Sequence, residues 1–432
     1  MKRAVKVTAI GFSVLMMTGM LSGCGGSSNA SGSSGKTVTI TYWQYTYPSK
    51  VTEMKKLIQQ FQKQNPNIKV VEQDFPYDQY NQKVAAAMHA NQGPDILNLY
   101  YGWIPQYVQQ GYLQPIPSTF MSTSQINNYY IPMVKDSMYN GKYYALPIAV
   151  RSLAIFYNKD MFQKAGISGP PQTWNELISD AQKMTVYQNG KLVQEGFGPD
   201  VSGQGYHLFQ EILLRQWGGK PFSADNKKVT WDTPAGLQAF QYWMDMFKKD
   251  KIGDMNFDQG AATAFQAGKA GMIVDGSFAI GTMKKSASFN WGVAPIPTKT
   301  PGGKQENFGS YWVNGIAKGV SGAQLQASEK FIQFLDSTAT EKDWLNTVGE
   351  LPAAASLASD QSILNDPIYG PFEQGLKYAH ATFFVNETTE RQAFIDETNK
   401  IFLQNAPVSQ VFNELTQKEQ AIRDKYYSSQ SN

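Results

Sequence analysis

The chain has 432 residues, more than a single hydrophobic core usually organises, so two lobes of roughly 150 to 200 residues are expected. Charged residues are 17% and aromatics 13% of the chain, the formal net charge is only +3, and this neutral, ring-rich balance implies no polyanion-binding patch and no nucleic-acid partner. Cys24 is the one cysteine and His89, His207 and His380 are the histidines, so disulfides, zinc sites and thiol nucleophiles are nearly excluded from the body, and no metal or cofactor is expected.

Residues 1–36 read as an address. A basic start, an apolar stretch from about Val7 to Leu21 and the sequence "LSGC" form a segment too short for a comfortable membrane span. It resembles a bacterial lipobox, which implies a signal peptide over 1–23, cleavage before Cys24 and lipidation of its thiol, including palmitate. Cleavage there leaves 35 basic and 35 acidic residues. Residues 24–36 carry the lipidated cysteine and a Gly/Ser tether reaching roughly 20 Å. The body is thus expected on the extracellular face of the cell membrane, and an uncleaved anchor helix is the weaker reading because such helices need about 20 apolar residues.

In the body, "TVTITYW" (37–43) alternates like a strand and "VTEMKKLIQQFQKQNP" puts Val51, Met54, Leu57, Ile58 and Phe61 on one helical face. "NIKVVEQ" is a second strand, a helix follows over about 78–90, and "DILNLY" is a third strand after Gly93-Pro94. This β-α-β-α-β alternation predicts an α/β fold with mostly parallel sheets covered by helices. Ligands bind such sheets beyond the carboxyl ends of the strands. That rule selects Gln44, Tyr45 and Tyr47 after the first strand, and Tyr100, Tyr101 and Trp103 after the third.

After residue 150 a second α/β unit begins. "TWNELISDAQKM" opens with Thr173 and Glu176 at capping-box spacing, "YHLFQEILLRQWGG" is a helix stopped by glycines, and 233–249 starts with a Thr233 cap and Pro234 at the first helical position. "AGMIVDG" and "WGVAPIP" read as strands, and 328–336 and the stretch from Val408 to Ile422 as amphipathic helices. "SADNKKVTWD" lacks the terminal Glu and central Gly of a calcium loop, so a hairpin turn is expected.

Four blocks in order, "FQKQNPNIKV" with "NQGPDILNLY", "GKYYALPIAVRSLAIFYNKDMFQKAG" with "PQTWNELI", "FQAGKAGMIVDGSFAI" with "WGVAPIPT", and "SEKFIQFLDS" with "GELPAAAS", span nearly the whole body. In this order the chain resembles the extracellular solute-binding proteins of ABC importers, of the maltose- and multiple-sugar-binding type. The resemblance implies a two-lobe type II fold with a ligand cleft at the hinge. It places lobe 1 at 37–148 and 293–347, and lobe 2 at 149–292 and 348–432. It sets "YALPIAVRSLAIFYN" where the chain first crosses between lobes. An arginine inside that apolar run, Arg151, costs several kcal/mol unless paired. Two readings stay open for it: contact with an oxygen-rich ligand, or a salt bridge to a hinge carboxylate such as Asp95 or Asp275.

The resemblance further implies ligand contacts at Trp312, in a glycine-flanked loop, and at Phe278, with Ser310 and Ser277 beside them. Asp275 would accept from hydroxyls, Asp95 would line the cleft or hold its turn, and Tyr206 would enter from lobe 2, ahead of His207. Ring faces beside groups that donate and accept suit a sugar. Three functions follow. The first is capture of a carbohydrate, expected to be an oligosaccharide, for delivery to separate permease subunits by a monomeric, lipid-anchored protein. The second is the same fold holding a phosphorylated polyol or other anion at Arg151. The third and weakest is a surface-anchored carbohydrate-active enzyme, which would need two positioned carboxylates.

Overall fold

The computed structural model describes residues 37–429 apart from Ser202 and Asn256. The signal segment, Cys24 and the tether lie outside the described residues. The alternating stretch at the start of the body forms β1 (Val38–Tyr45), and the apolar stripe after it forms the helix Pro48–Gln64, with Met54, Leu57, Ile58 and Phe61 buried. β2 (Ile68–Phe75), the helix Tyr77–His89 and β3 (Ile96–Tyr100) complete the unit, and β1 pairs parallel with both β2 and β3.

A short hairpin of β4 (Met138–Tyr139) and β5 (Lys142–Tyr143) leads into β6 (Ala145–Asn158), buried along nearly its whole length. Then come β7 (Val186–Gln188), β8 (Lys191–Gly198), β9 (Ala270–Gly276), β10 (Trp291–Ala294), β11 (Asn307–Ile316) and β12 (Ala379–His380). The main sheet runs β2-β1-β3-β11-β6-β9-β8-β7, with β10 on β6 and β12 on β11. Its two flanks hold the parallel pairs, β2-β1-β3 on one side and β9-β8 on the other; between them β11 runs antiparallel to β3 and β6, and β6 antiparallel to β9, so the sheet is mixed.

β6 serves both flanks. Ala145–Ser152 pairs with β11, while Leu153–Tyr157 pairs with β9. Pro147, which has no N–H to donate, sits where the β6–β11 register shifts between Trp312 and Val313, the kind of irregularity at which a sheet tolerates proline. At the changeover, the Asn307 side chain accepts from Leu153 N at 3.2 Å and donates to Leu153 O at 2.9 Å.

Helices Pro234–Lys248, Glu387–Gln404 and Val408–Ser429 pack together over the second flank. The helix Thr338–Val348 stops at Gly349, whose left-handed backbone (φ 93°) is the usual glycine terminator and turns the chain so that Glu350 enters the interior. No described helix is long and apolar enough to cross a membrane.

Candidate functional site

The carboxyl ends of β1 and β3 bring their rings to β11. Tyr45 lies flat on Trp312, centroids 4.0 Å apart at 21°, and meets Tyr77 edge-on at 5.8 Å. Tyr100 stands 5.9 Å from Trp312. Trp312 is 2% exposed and Tyr45 7%, whereas Tyr47, Tyr77 and Phe278 are half-buried. Phe278 comes from the other flank, in the turn after β9, and meets Tyr47 edge-on at 6.2 Å. The Tyr47 hydroxyl reaches the Phe278 carbonyl at 3.4 Å and the Thr282 hydroxyl at 3.3 Å. The two sides of the cleft are therefore in contact, ring against ring.

Under this stack lies an ionic triad. Arg151 on β6, opposite Ser310 on β11, pairs with Glu350, donates to the Tyr45 hydroxyl at 3.2 Å, and holds its guanidinium 4.7 Å above the Phe278 ring and 5.5 Å from Trp312. Lys50, in the first turn of the first helix, meets the same Glu350 at 2.9 Å, and Trp344 donates its indole N–H to Glu350 Oε2 at 2.8 Å. Burial alone would raise the Glu350 carboxyl, but Arg151 and Lys50 hold it below its ordinary value. Burial and the neighbouring Arg151 charge lower Lys50 to about 7, against the pull of Glu350.

The parallel pair β8–β9 delivers acids from the second flank. Asp275 is buried and accepts from Gly276 N at 2.7 Å; burial pushes its carboxyl up to about 7. Asp200 accepts from Gly203 N and Gln204 N at 2.8 and 2.7 Å, and burial raises it too. Ser277 Oγ and Trp312 Nε1 are buried with no hydrogen-bond partner among the described residues. Among the described residues Trp312 Nε1 is thus a free donor within the ring stack, and Ser277 Oγ another, one residue before Phe278.

Of the residues anticipated from sequence, the structure assembles Tyr45, Tyr47, Tyr100, Arg151, Phe278, Ser310 and Trp312, with Asp275 and Ser277 adjoining. It places the others elsewhere. Gln44 points to the opposite face of β1 from Tyr45 and donates to Glu72 at 3.0 Å. Asp95 ties β3 to β1, accepting from Thr41 N and Oγ1 at 2.7 and 2.8 Å. Tyr101 stacks on Tyr311 at 4.6 Å and donates to Thr382 O at 3.0 Å. Trp103 touches Trp312 edge-on at 5.6 Å, but its N–H goes to Glu387 at 2.9 Å. Tyr206 is 1% exposed between Phe384 and Phe394, and so belongs to the core of the second flank. Trp312 itself sits within strand β11, not in a loop. The carboxylate partner of Arg151 is Glu350, neither Asp95 nor Asp275.

Sequence reasoning missed Lys50, Tyr77, Asp200, Trp344 and Glu350. Of these only Glu350 falls in one of the four family-like blocks, in "GELPAAAS". Among the described residues no group of three or more His, Cys, Asp or Glu is placed to hold a metal ion.

A family model described as "Bacterial extracellular solute-binding protein" matches residues 47–342. The maltotriose-binding protein of Pyrococcus abyssi is 26% identical over 351 residues, 79% of this chain and 72% of that protein. The sn-glycerol-3-phosphate-binding periplasmic protein UgpB of Shigella dysenteriae is 24% identical over 377 residues, 78% of this chain and 83% of that protein. Among solved structures, the ABC substrate-binding protein Lmo0181 from Listeria monocytogenes in complex with cycloalternan superposes with a TM-score of 0.77 at 22% identity, covering 90% of this chain and 99% of that one. That likeness shows the fold, the two-lobe type II architecture of periplasmic binding proteins.

Proposed function

We propose, from the premise that this chain belongs to the bacterial extracellular solute-binding proteins, that it captures an oligosaccharide outside the cell and hands it, chemically unaltered, to an ABC import permease. The observation that carries this reading is the ring stack Tyr45–Trp312–Tyr100 together with two buried donors that have no partner among the described residues, Trp312 Nε1 and Ser277 Oγ. Parting the halves at the Tyr47–Phe278 contact uncovers ring faces that match the C–H face of a pyranose, and the free donors then meet its oxygens. Closure over the ligand is driven by contacts made to both halves. The lobe boundaries at 148/149, 292/293 and 347/348 belong to this reading.

The chain is a monomer tethered through lipid at Cys24, with the permease on separate chains; the intact mass of cell-derived protein tests the lipid. Catalysis is disfavoured because Asp200 and Asp275, the acids at the cleft end of the second flank, accept from backbone amides and are both raised by burial, so neither is held as the ionised carboxylate that glycoside hydrolysis needs beside its acid.

A second reading has one observation behind it, the similarity to a glycerol-3-phosphate-binding protein. An anion would want the Arg151 charge, but Glu350 already pairs with it. Titration calorimetry separates the two. The expected result is saturable heat with maltotriose or a longer maltooligosaccharide, insensitive to salt and lost in Trp312→Ala. Silence across a panel of neutral oligosaccharides, or binding of glycerol 3-phosphate that weakens with ionic strength, would overturn the proposal.

A further inference from the structure

On the face of the crossing strands turned away from the ring stack lies a cavity of about 510 Å³, within the roughly 300 to 1,000 Å³ range of small-molecule sites. Neighbouring residues of a strand point to opposite faces: Arg151 faces the ring stack, while Ser152 donates to Phe372 O at 2.6 Å and holds the helix Gly370–Gly375 on the other side. That helix contributes Glu373 to the cavity wall. Ile131, Met133 and Leu376 supply apolar surface, and Arg215 and Lys377 bring cationic groups to the rim.

Glu373 is 2% exposed, lines the cavity, and its Oε2 has no hydrogen-bond partner among the described residues. An unpaired buried carboxyl is costly unless something meets it. The charges around it do not. Arg215 is paired with Glu211 at 2.7 Å, and the His380 ring, on β12, meets Glu306 at 2.7 Å, so among the described lining residues exposed Lys377 is the cation without an ion pair. Burial pushes Glu373 up to about 8 against the pull of Lys377, so near neutrality it carries a proton it can donate.

We propose that this cavity is a second ligand site, separate from the cleft, for an aliphatic monocarboxylate whose chain lies along Ile131, Met133 and Leu376 and whose carboxylate accepts a hydrogen bond from the Glu373 carboxyl. An apolar wall, a lysine without an ion pair among the described residues and a protonated acid form a set that a carboxylate completes. An amine would add a second positive charge beside Lys377, and an alcohol would leave that charge unmet.

Calorimetric titration of the full chain with sodium octanoate, octan-1-ol and octylamine at about pH 6.5 and pH 9 tests the assignment. Octanoate is expected to bind with one-to-one saturation at pH 6.5 and about tenfold or more weakly at pH 9, where Glu373 loses its proton and repels it. Glu373→Gln keeps a side-chain N–H donor and is expected to retain binding at pH 9. Met133→Trp fills the cavity and is expected to abolish it at both pH values. Tighter binding of octylamine, equal binding of octanol and octanoate, octanoate binding that survives Met133→Trp, or no heat at millimolar octanoate would each overturn the proposal.

Discussion

At the scale of single residues, Glu350 faces two buried cations, Arg151 and Lys50, and is itself fully buried. Removing its charge leaves like charges together in a low-dielectric site, and breaking a buried pair in this way costs about 3 to 5 kcal/mol. Glu350→Gln is therefore expected to lower the unfolding free energy by about that amount in urea titrations at pH 6. The loss should shrink at pH 9, because Lys50, lowered to about 7, is then neutral in the fold. A loss unchanged between the two pH values would mean that Lys50 does not share the site's charge. The need for a partner to Arg151 was legible, since a guanidinium in an apolar run demands one. Its identity was not, because 199 residues separate the partners and no local pattern spans that distance.

At the scale of elements, what could be read depended on whether a feature was local. The capping box was legible, and the structure has it: Thr173 Oγ1 accepts from Glu176 N, and Glu176 Oε2 accepts from Thr173 N, both at 3.2 Å. Thr173→Ala is expected to cost about 1 kcal/mol while leaving oligosaccharide affinity unchanged, a contrast that denaturation and titration of the same variant would check. The helix Glu387–Gln404 went unread because its buried face carries Glu387, Glu390 and Glu397 among Ala393, Phe394 and Ile401, which erases the apolar stripe. Two of those acids also draw partners from other elements, Trp103 for Glu387 and Lys418 for Glu397. The family resemblance, with glycines on either side, implies a loop around Trp312, where the structure has strand β11. Gly309 is there for close approach instead: a Cβ on it would stand 2.1 Å from Met133 Sδ. Glycine inside a strand often marks another group pressed against the backbone.

At the scale of the whole molecule, buried acids set the response to pH. Burial holds Asp275 up to about 7 and Glu195, Asp336, Glu341 and Glu373 up to about 8. Each keeps its proton in the fold at pH values where the unfolded chain has lost it, so stability falls as pH rises toward those values. Lys50 works the other way above about pH 7. His207, which burial and the Arg391 charge lower to about 3, opposes the acids only below the ordinary histidine range near 6.5. Between about pH 6 and 8 the acids outnumber the opposing groups, and Tm is expected to fall across that interval. A Tm that climbs over the same range in a calorimetric scan would contradict this burial. The two-flank α/β plan was legible from strand and helix periods together with block order, whereas the antiparallel running of β6 and β11 was not, since strand direction depends on the path of the chain and not on side-chain alternation.

The Asn307 amide that grips Leu153 carries a mechanical implication. Where β6 leaves one neighbour for the next, Leu153 has both its N–H and its C=O held by a side chain with two rotatable bonds. Peptide groups clasped by a rigid adjacent strand must tear or stay put when two blocks swivel. Those clasped by a side-chain amide have two torsions to give, so a bend where β6 passes from β11 to β9 would strain the ladder least at Leu153.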